Sequence, residues 1–221
     1  MQTIRNKYTV ALGIAFITQF FTTLISEVVY GNIVVKGNIA KTMVSISQNY
    51  TQALFSVLLD IISVVVIIWL GVLLFSSLRK VNYVWAIMGL TMYIAEAFML
   101  FTGKCFQFAF MNLSSIFSTN TNSEMFGTVL YDTREFAYSI SMFPFVIGGF
   151  LFYYLLYKSR ALPSWIPIWG FVSVFLVFIV SLRIYGIPVP FFIAFPYIPF
   201  ELFIGVYILI KGLSSKSVIW Q

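Results

Sequence analysis

Glu27, Asp60, Glu96 and Glu201 each stand inside a long apolar run. An acidic side chain at the centre of a membrane helix costs roughly 2.5–3.5 kcal/mol on insertion scales. Such groups are kept where they pair with cations, bind a ligand or ion, or exchange protons. Their neighbours suggest shared faces. Gln19, Thr23, Ser26 and Glu27 follow i, i+4, i+7, i+8, and Ser56, Asp60 and Ser63 follow i, i+4, i+7. Gly89, Tyr93, Glu96, Gly103 and Gln107 keep to one stripe, with Lys104 eight residues beyond Glu96, while Tyr197, Glu201 and Gly205 form another. On helices these stripes must face protein, because lipid offers no hydrogen bonds. Their convergence predicts a polar, acidic cavity in the outer half of a helix bundle, open to the outside. Glu201 and Glu96 are its expected central ligand-binding groups, with Tyr197 beside Glu201. Asp60 and Glu27 form its mouth, and Arg183 supplies the counter-charge.

A structural reading competes with this one. Glu96 or Glu201 would pair with Arg183 or Lys104 as an ionic lock between helices, and Glu27 and Asp60 would simply reach outer water. The charge count favours more than pairing. Four acids face one intramembrane arginine and one helix-end lysine, so at least one carboxylate is left over. A leftover protonatable acid is what proton coupling or cation binding requires.

The elements that must position these groups follow from composition. Of 221 residues, 61% are hydrophobic and 9% charged, against about 25% charged in an ordinary soluble domain. Mean hydropathy is +0.97. Thirteen Lys+Arg and seven Asp+Glu cannot coat a water-soluble surface, so the expected fold class is an all-α membrane protein, a six-transmembrane-helix bundle. A span of roughly 30 Å takes about 20 helical residues. Segments of that kind fall near 9–30, 53–77, 82–103, 135–157, 165–185 and 190–211, within a single integral membrane domain over 1–221. The first is too long for a signal-peptide core and lacks a convincing cleavage site, so it is read as a retained helix.

Lys and Arg set the orientation. With the N-terminus inside, Arg5, Lys7, Arg79, Lys80, Lys158, Arg160, Lys211 and Lys216 are cytoplasmic, and Lys36, Lys41, Lys104, Arg134 and Arg183 lie opposite. Trp85, Trp165 and Trp220 fall at the inner interface as an aromatic belt. Both termini are therefore expected in the cytoplasm. Among the outer connections, Asn38 followed by Ile39, Met43 and Ile46 predicts a short helix lying on the outer membrane surface. Segment 104–134 starts apolar, through Phe106, Phe108 and Phe110, so the third helix is expected to project past the bilayer before the chain enters the polar stretch Ser118-Thr-Asn-Thr-Asn-Ser123. Pro188, Pro190, Pro196 and Pro199 make the sixth segment abnormal. They predict either a tight turn before a kinked helix or a broken helix lining a site.

Several chemistries are excluded. There is no histidine, which removes His-ligated metal and His-dependent nucleophilic catalysis, and the lone Cys105 cannot form an intrachain disulfide. No phosphate-binding glycine motif occurs. The net charge of +6 is scattered at the ends of apolar segments, so no nucleic-acid partner is expected. No cofactor and no metal site are expected. Asn49-Tyr-Thr51 and Asn112-Leu-Ser114 match the glycosylation pattern, too short a match to carry weight.

Leu155-Leu-Tyr-Lys-Ser-Arg-Ala-Leu-Pro-Ser-Trp-Ile-Pro-Ile-Trp-Gly170, followed after one apolar helix by Pro199-Phe-Glu-Leu-Phe-Ile-Gly-Val-Tyr-Ile-Leu-Ile-Lys-Gly212, resembles the bacterial integral membrane family called domain of unknown function 4386. Its members close with a similar Ser-Arg-x-x-Pro-x-Trp turn and a Glu-containing last helix ending in Lys-Gly. The segments around Glu27, Asp60 and Glu96-Ala97 also resemble that family's early helices. The resemblance implies six helices and a multi-pass protein of a prokaryotic cell membrane, and it brings no reaction or substrate.

The leading functional expectation is binding or transport of a small polar or cationic ligand, proton-coupled, among membrane lipids. A homodimer is expected because the bundle is small for a monomeric carrier. The alternatives are a membrane enzyme acting on a lipid or isoprenoid, disfavoured by the absence of a metal cluster or nucleophile, and a non-catalytic sensor or immunity protein with structural charges.

Overall fold

The computed structural model describes residues 3–4, 7–116 and 121–214. Seven α-helices account for most of them. They are α1 (Lys7–Ile33), α2 (Ile39–Gln48), α3 (Tyr50–Leu78), α4 (Tyr83–Ile116), α5 (Thr121–Ser159), α6 (Trp165–Ser181) and α7 (Tyr197–Lys211). Strands β1 (Thr3–Ile4) and β2 (Leu213–Ser214) pair antiparallel, Thr3 opposite Ser214 and Ile4 opposite Leu213. Five helical spans are long and apolar enough to cross a membrane, and Trp165–Ser181 is a shorter apolar helix. The protein is all-α and of multi-pass membrane type.

The helices outrun the expected spans in the middle of the chain. Segment 104–134 is mostly helix, because α4 continues to Ile116 and α5 starts at Thr121. At a rise of 1.5 Å per residue, α4 is about 50 Å long and α5 about 58 Å, well beyond a bilayer core. The cause is continued apolar patterning: Phe110 and Met111, both fully buried, extend the packed face of α4 past the expected boundary. Residues 118–120 of the polar stretch lie outside the described residues, as do Arg5, Lys216 and Trp220.

The prolines act at the other end of the chain. Helix α6 tightens into a 3₁₀ turn at Leu182–Tyr185, closed by Gly186 at φ 78°. A second 3₁₀ turn covers Phe191–Ala194, and regular α-helix resumes only at Tyr197, just after Pro196. Pro199 is tolerated in the first turn of α7, where backbone N–H groups lack intrahelical partners in any case. The sixth segment is therefore an interrupted helix and not a continuous one over 190–211.

The residues group into two compact units, one of Met1–Phe20, Val65–Ala97 and Ile140–Gln221, the other of Phe21–Val64 and Phe98–Ser139. Helices α1, α3, α4 and α5 supply residues to both. The core of the first includes Leu12, Phe16, Leu74, Phe152, Leu156, Ile166, Phe200 and Ile208. Here α1 and α7 approach closely through glycines. A Cβ on Gly13 would lie 2.9 Å from the Gly205 carbonyl oxygen, and one on Gly205 would lie 2.9 Å from the Phe16 Cβ. The core of the second joins Tyr30, Ile33, Met43, Ile46, Val57, Phe110 and Met111. Helix α2 is capped as its sequence requires, the Asn38 side chain accepting from the Lys41 backbone N–H at 2.8 Å. Its apolar stripe, however, is packed into that protein core: Met43 and Ile46 are both buried.

The α1–α7 approach makes a direct prediction. Gly205→Ala and Gly13→Ala overpack the contact and should each lower stability by about 1–3 kcal/mol, read as the unfolding midpoint in detergent. Gly31→Ala, with nothing within 4 Å of its Cβ position, should leave the midpoint in place. Equal midpoints for all three variants would contradict the close packing.

Candidate functional site

The intramembrane charges divide between the two units. In the unit built from Phe21–Val64 and Phe98–Ser139, Asp60, Glu27 and Glu135 are compensated. Asp60 of α3 and Lys104 of α4 form an ion pair at 2.7 Å, with both side chains 8% exposed. The Lys104 ammonium also donates to Gln107 Oε1 at 3.3 Å. Arg134 of α5 donates from Nε to that same oxygen at 3.4 Å, and Gln107 Nε2 donates to Ser56 Oγ at 3.3 Å. Gln107 thus ties two cations to a serine one turn from Asp60.

Arg134 is the second hub. It pairs with its neighbour Glu135 and reaches Glu27 at 3.8 Å, while its guanidinium lies over the Tyr30 ring, 4.8 Å from the centroid. The Glu27 side chain is 44% exposed, so it sits at the rim of this network. Around it, Ser26 donates to the Ser56 carbonyl at 3.0 Å, and the hydroxyls of Thr22 and Thr23 lie 3.0 and 2.8 Å from Ser63 Oγ. The polar stripes of α1 and α3 meet here, as their spacing predicts. Both asparagines of the glycosylation-like triplets are used structurally: Asn49 caps α2, and Asn112 accepts from the Tyr50 hydroxyl at 2.9 Å.

The other unit holds Glu96 of α4 and Glu201 of α7. They lie within range of each other's charge and of Tyr93, Tyr153 and Tyr197. Tyr197 stands one helical turn before Glu201, with its phenol within electrostatic range of the carboxyl. Glu96 is 6% exposed, Tyr93 4% and Tyr153 2%, while Glu201 and Tyr197 are half-buried. Neither glutamate makes a salt bridge among the described residues.

Phenylalanines and glycines hold the tyrosines. Tyr93 packs edge-on against Phe152 at 5.1 Å, Tyr153 against Phe200 at 5.3 Å, and Tyr197 against Phe145 at 5.2 Å. Gly148 of α5 makes room for Tyr93: a Cβ there would lie 2.6 Å from the Tyr93 ring. Gly170 of α6 does the same for Tyr153 and Phe200, at 2.9 and 2.7 Å.

Two expected pairings are corrected. Arg183 is not the counter-charge of Glu96 or Glu201; it is exposed and makes no ion pair among the described residues. The physical reason is the end of α6 at Ser181, after which the 3₁₀ turn redirects the chain. Lys104 does not reach Glu96 either, although both lie on one stripe. Eight residues are about 12 Å along a helix axis, and Lys104 is committed to Asp60.

Sequence reasoning missed Arg134, Tyr30 and Tyr153. Arg134 was expected in an outer connection because α5 was expected to start at residue 135. A signal was present: Gly127, Tyr131, Arg134, Tyr138 and Ser141 form an i, i+4, i+7, i+11, i+14 stripe.

The family comparison covers all of these residues. The model of the family described as domain of unknown function (DUF4386) matches residues 11–212, and the chain belongs to that family. No curated protein and no solved structure matches it.

Breaking the compensated pair tests the first network. Lys104→Met leaves a buried carboxylate without a partner and should lower stability by about 3–5 kcal/mol, whereas Lys104→Met with Asp60→Leu should recover most of the loss. Denaturant unfolding of purified protein measures both; a double variant as unstable as the single would remove the pairing.

Proposed function

We propose that this member of the DUF4386 family is a six-span cell-membrane protein that binds and moves a small polar or cationic ligand in exchange with protons, using Glu96 and Glu201. The observation that carries this reading is the contrast between the two units. Asp60, Glu27 and Glu135 have Lys104 and Arg134 as partners. Glu96 and Glu201 make no salt bridge among the described residues and lie within range of each other and of tyrosines.

Two carboxyls in apolar surroundings do not both remain charged without a cation; a shared proton or a bound cation removes the repulsion. These two occupancies are mutually exclusive, which is the elementary requirement for exchange. Glu201 stands in the second turn of α7, directly after the interrupted stretch, and interrupted helices at ligand sites are common in secondary transporters. Both termini are placed in the cytoplasm by the Lys and Arg distribution. That side then carries Lys7, Arg79, Lys80, Lys158, Arg160 and Lys211, and the membrane is a prokaryotic cell membrane.

A structural role is the reading favoured for the other network. Its charges are paired and the Gln107 amide is engaged on both its oxygen and its nitrogen.

Cation and proton competing for one site fix the sign of the pH response. Cations should protect the detergent-purified protein from thermal unfolding at mildly alkaline pH, and the protection should fade on acidification as protons occupy the carboxyls. Glu201→Gln should lose both the protection and its pH dependence. In reconstituted vesicles the same variant should abolish cation-driven proton movement at unchanged expression. A wild-type protein that no cation protects at any pH would sink this reading.

A further inference from the structure

We infer that the end of the bundle where the turn after α5 meets β2 is a binding surface for the headgroup of an anionic phospholipid, with Arg160 as its central group. Neither Glu96 nor Glu201 takes part. Backbone contacts assemble the surface. The Ser214 N–H donates to the Ala161 carbonyl at 2.9 Å, and Thr3 lies opposite Ser214 in the β1–β2 pair. Arg160 thus adjoins the strand into which Lys211 leads through Gly212, at φ 69°. Lys7 opens α1 four residues after Thr3. Helices α1 and α7 touch just inside this end, where a Cβ on Gly13 would lie 2.8 Å from the Leu209 backbone nitrogen.

The charges gathered there are of one sign. Lys7, Lys158, Arg160 and Lys211 are all exposed and make no ion pair among the described residues. Their own segments hold no carboxylate, since residues 1–26, 61–95, 136–200 and 202–221 contain no Asp or Glu. Cations so placed draw an anion from outside the chain. At a membrane boundary the anion at hand is the phosphate of a lipid headgroup. Tyr157 and Trp165, both exposed, flank the turn, and such amphipathic rings settle at headgroup depth.

Arg160 carries the surface beyond general attraction. At φ 52° it is the only non-glycine residue with a positive φ among the described residues. That conformation is disfavoured for any side chain with a Cβ, and glycine is its usual occupant. The surroundings impose it here. The Arg160 N–H donates to the Tyr157 carbonyl at 3.1 Å and the Ala161 N–H to Ser159 Oγ at 3.3 Å. Ala161, Leu162 and Leu213 are buried beneath the turn. Strain held in place by packing, on an exposed charged residue, marks a position kept for what its side chain reaches. A guanidinium fork grips two phosphate oxygens at once, while Lys158, Lys211 and Lys7 add point charges.

The test is competition on the purified full chain in detergent micelles, with fluorescent phosphatidylglycerol displaced by unlabelled lipids of identical chains. Phosphatidylglycerol should displace the probe at least tenfold more strongly than phosphatidylcholine. Glycerol 3-phosphate and inorganic phosphate at the same concentrations should not displace it, because the headgroup is presented from the leaflet. Arg160→Gly relieves the left-handed backbone while removing the guanidinium. It should keep or raise the thermal unfolding midpoint, yet weaken phosphatidylglycerol about tenfold. Lys158→Gln and Lys211→Gln should each weaken it about fivefold. Lys41→Gln, on α2 in the other unit, should leave it unchanged.

Equal displacement by phosphatidylglycerol and phosphatidylcholine would overturn the lipid surface. So would wild-type affinity in Arg160→Gly, or the same loss in Lys41→Gln as in Arg160→Gly, which reduces the effect to general charge attraction. Displacement by glycerol 3-phosphate as strong as by phosphatidylglycerol would replace the lipid with a soluble phosphate. Should Arg160→Gly fail to fold, Arg160→Asn, which tolerates the same backbone, decides the outcome by the same two readings.

Discussion

A charge in apolar surroundings must be matched by another charge, by hydrogen bonds, or by a proton, and most of what distinguishes this protein follows from how its acids meet that demand. With 9% charged residues, nearly every ionised group is conspicuous. Asp60 is matched by Lys104, and Arg134, stacked over the Tyr30 ring, is shared between Glu135 and Glu27. Gln107 completes that arrangement, because its amide oxygen receives N–H groups from both cations while its nitrogen is spent on Ser56. Removing any one partner strands the rest, so the network holds its helices in a single arrangement.

Glu96 and Glu201 meet the same demand differently. Around them stand phenols and, among the described residues, no paired cation, with Tyr93 and Tyr153 seated on Gly148 and Gly170. Rigid rings and an exchangeable charge are the combination expected of a binding site, whereas saturated ion pairs are the combination expected of a scaffold. The contrast within one short chain is more informative than either cluster alone.

The interrupted end of the chain serves the first of these arrangements. Four prolines between residues 188 and 199 prevent a continuous helix, so α7 begins at Tyr197 and places Tyr197 and Glu201 in its first two turns. A continuous segment would put the same residues mid-helix with a full set of backbone hydrogen bonds before them. The same interruption carries Arg183 into a 3₁₀ turn and away from the acids. One local feature thus both sets Glu201 in the second turn of α7 and keeps Arg183 away from it.

The sequence by itself determined the class of protein, the buried carboxylates and the stripes they occupy. Hydropathy and i, i+4 spacing are local properties, and the protein interior has no alternative way to shelter a polar face from lipid. Thus Ser56, Asp60 and Ser63 are buried together on α3, as are Tyr93, Glu96 and Gln107 on α4. Asn38 announced α2 through its own side-chain chemistry, although the stripe beyond it met protein core where a membrane surface was expected. Only the tertiary structure decided who partners whom. Lys104 lies on the stripe of Glu96 yet pairs with Asp60, and Arg134 enters the interior because α5 begins fourteen residues before the expected boundary at 135. Pairing depends on the distance between side chains from different helices, and no periodicity along one helix encodes that distance.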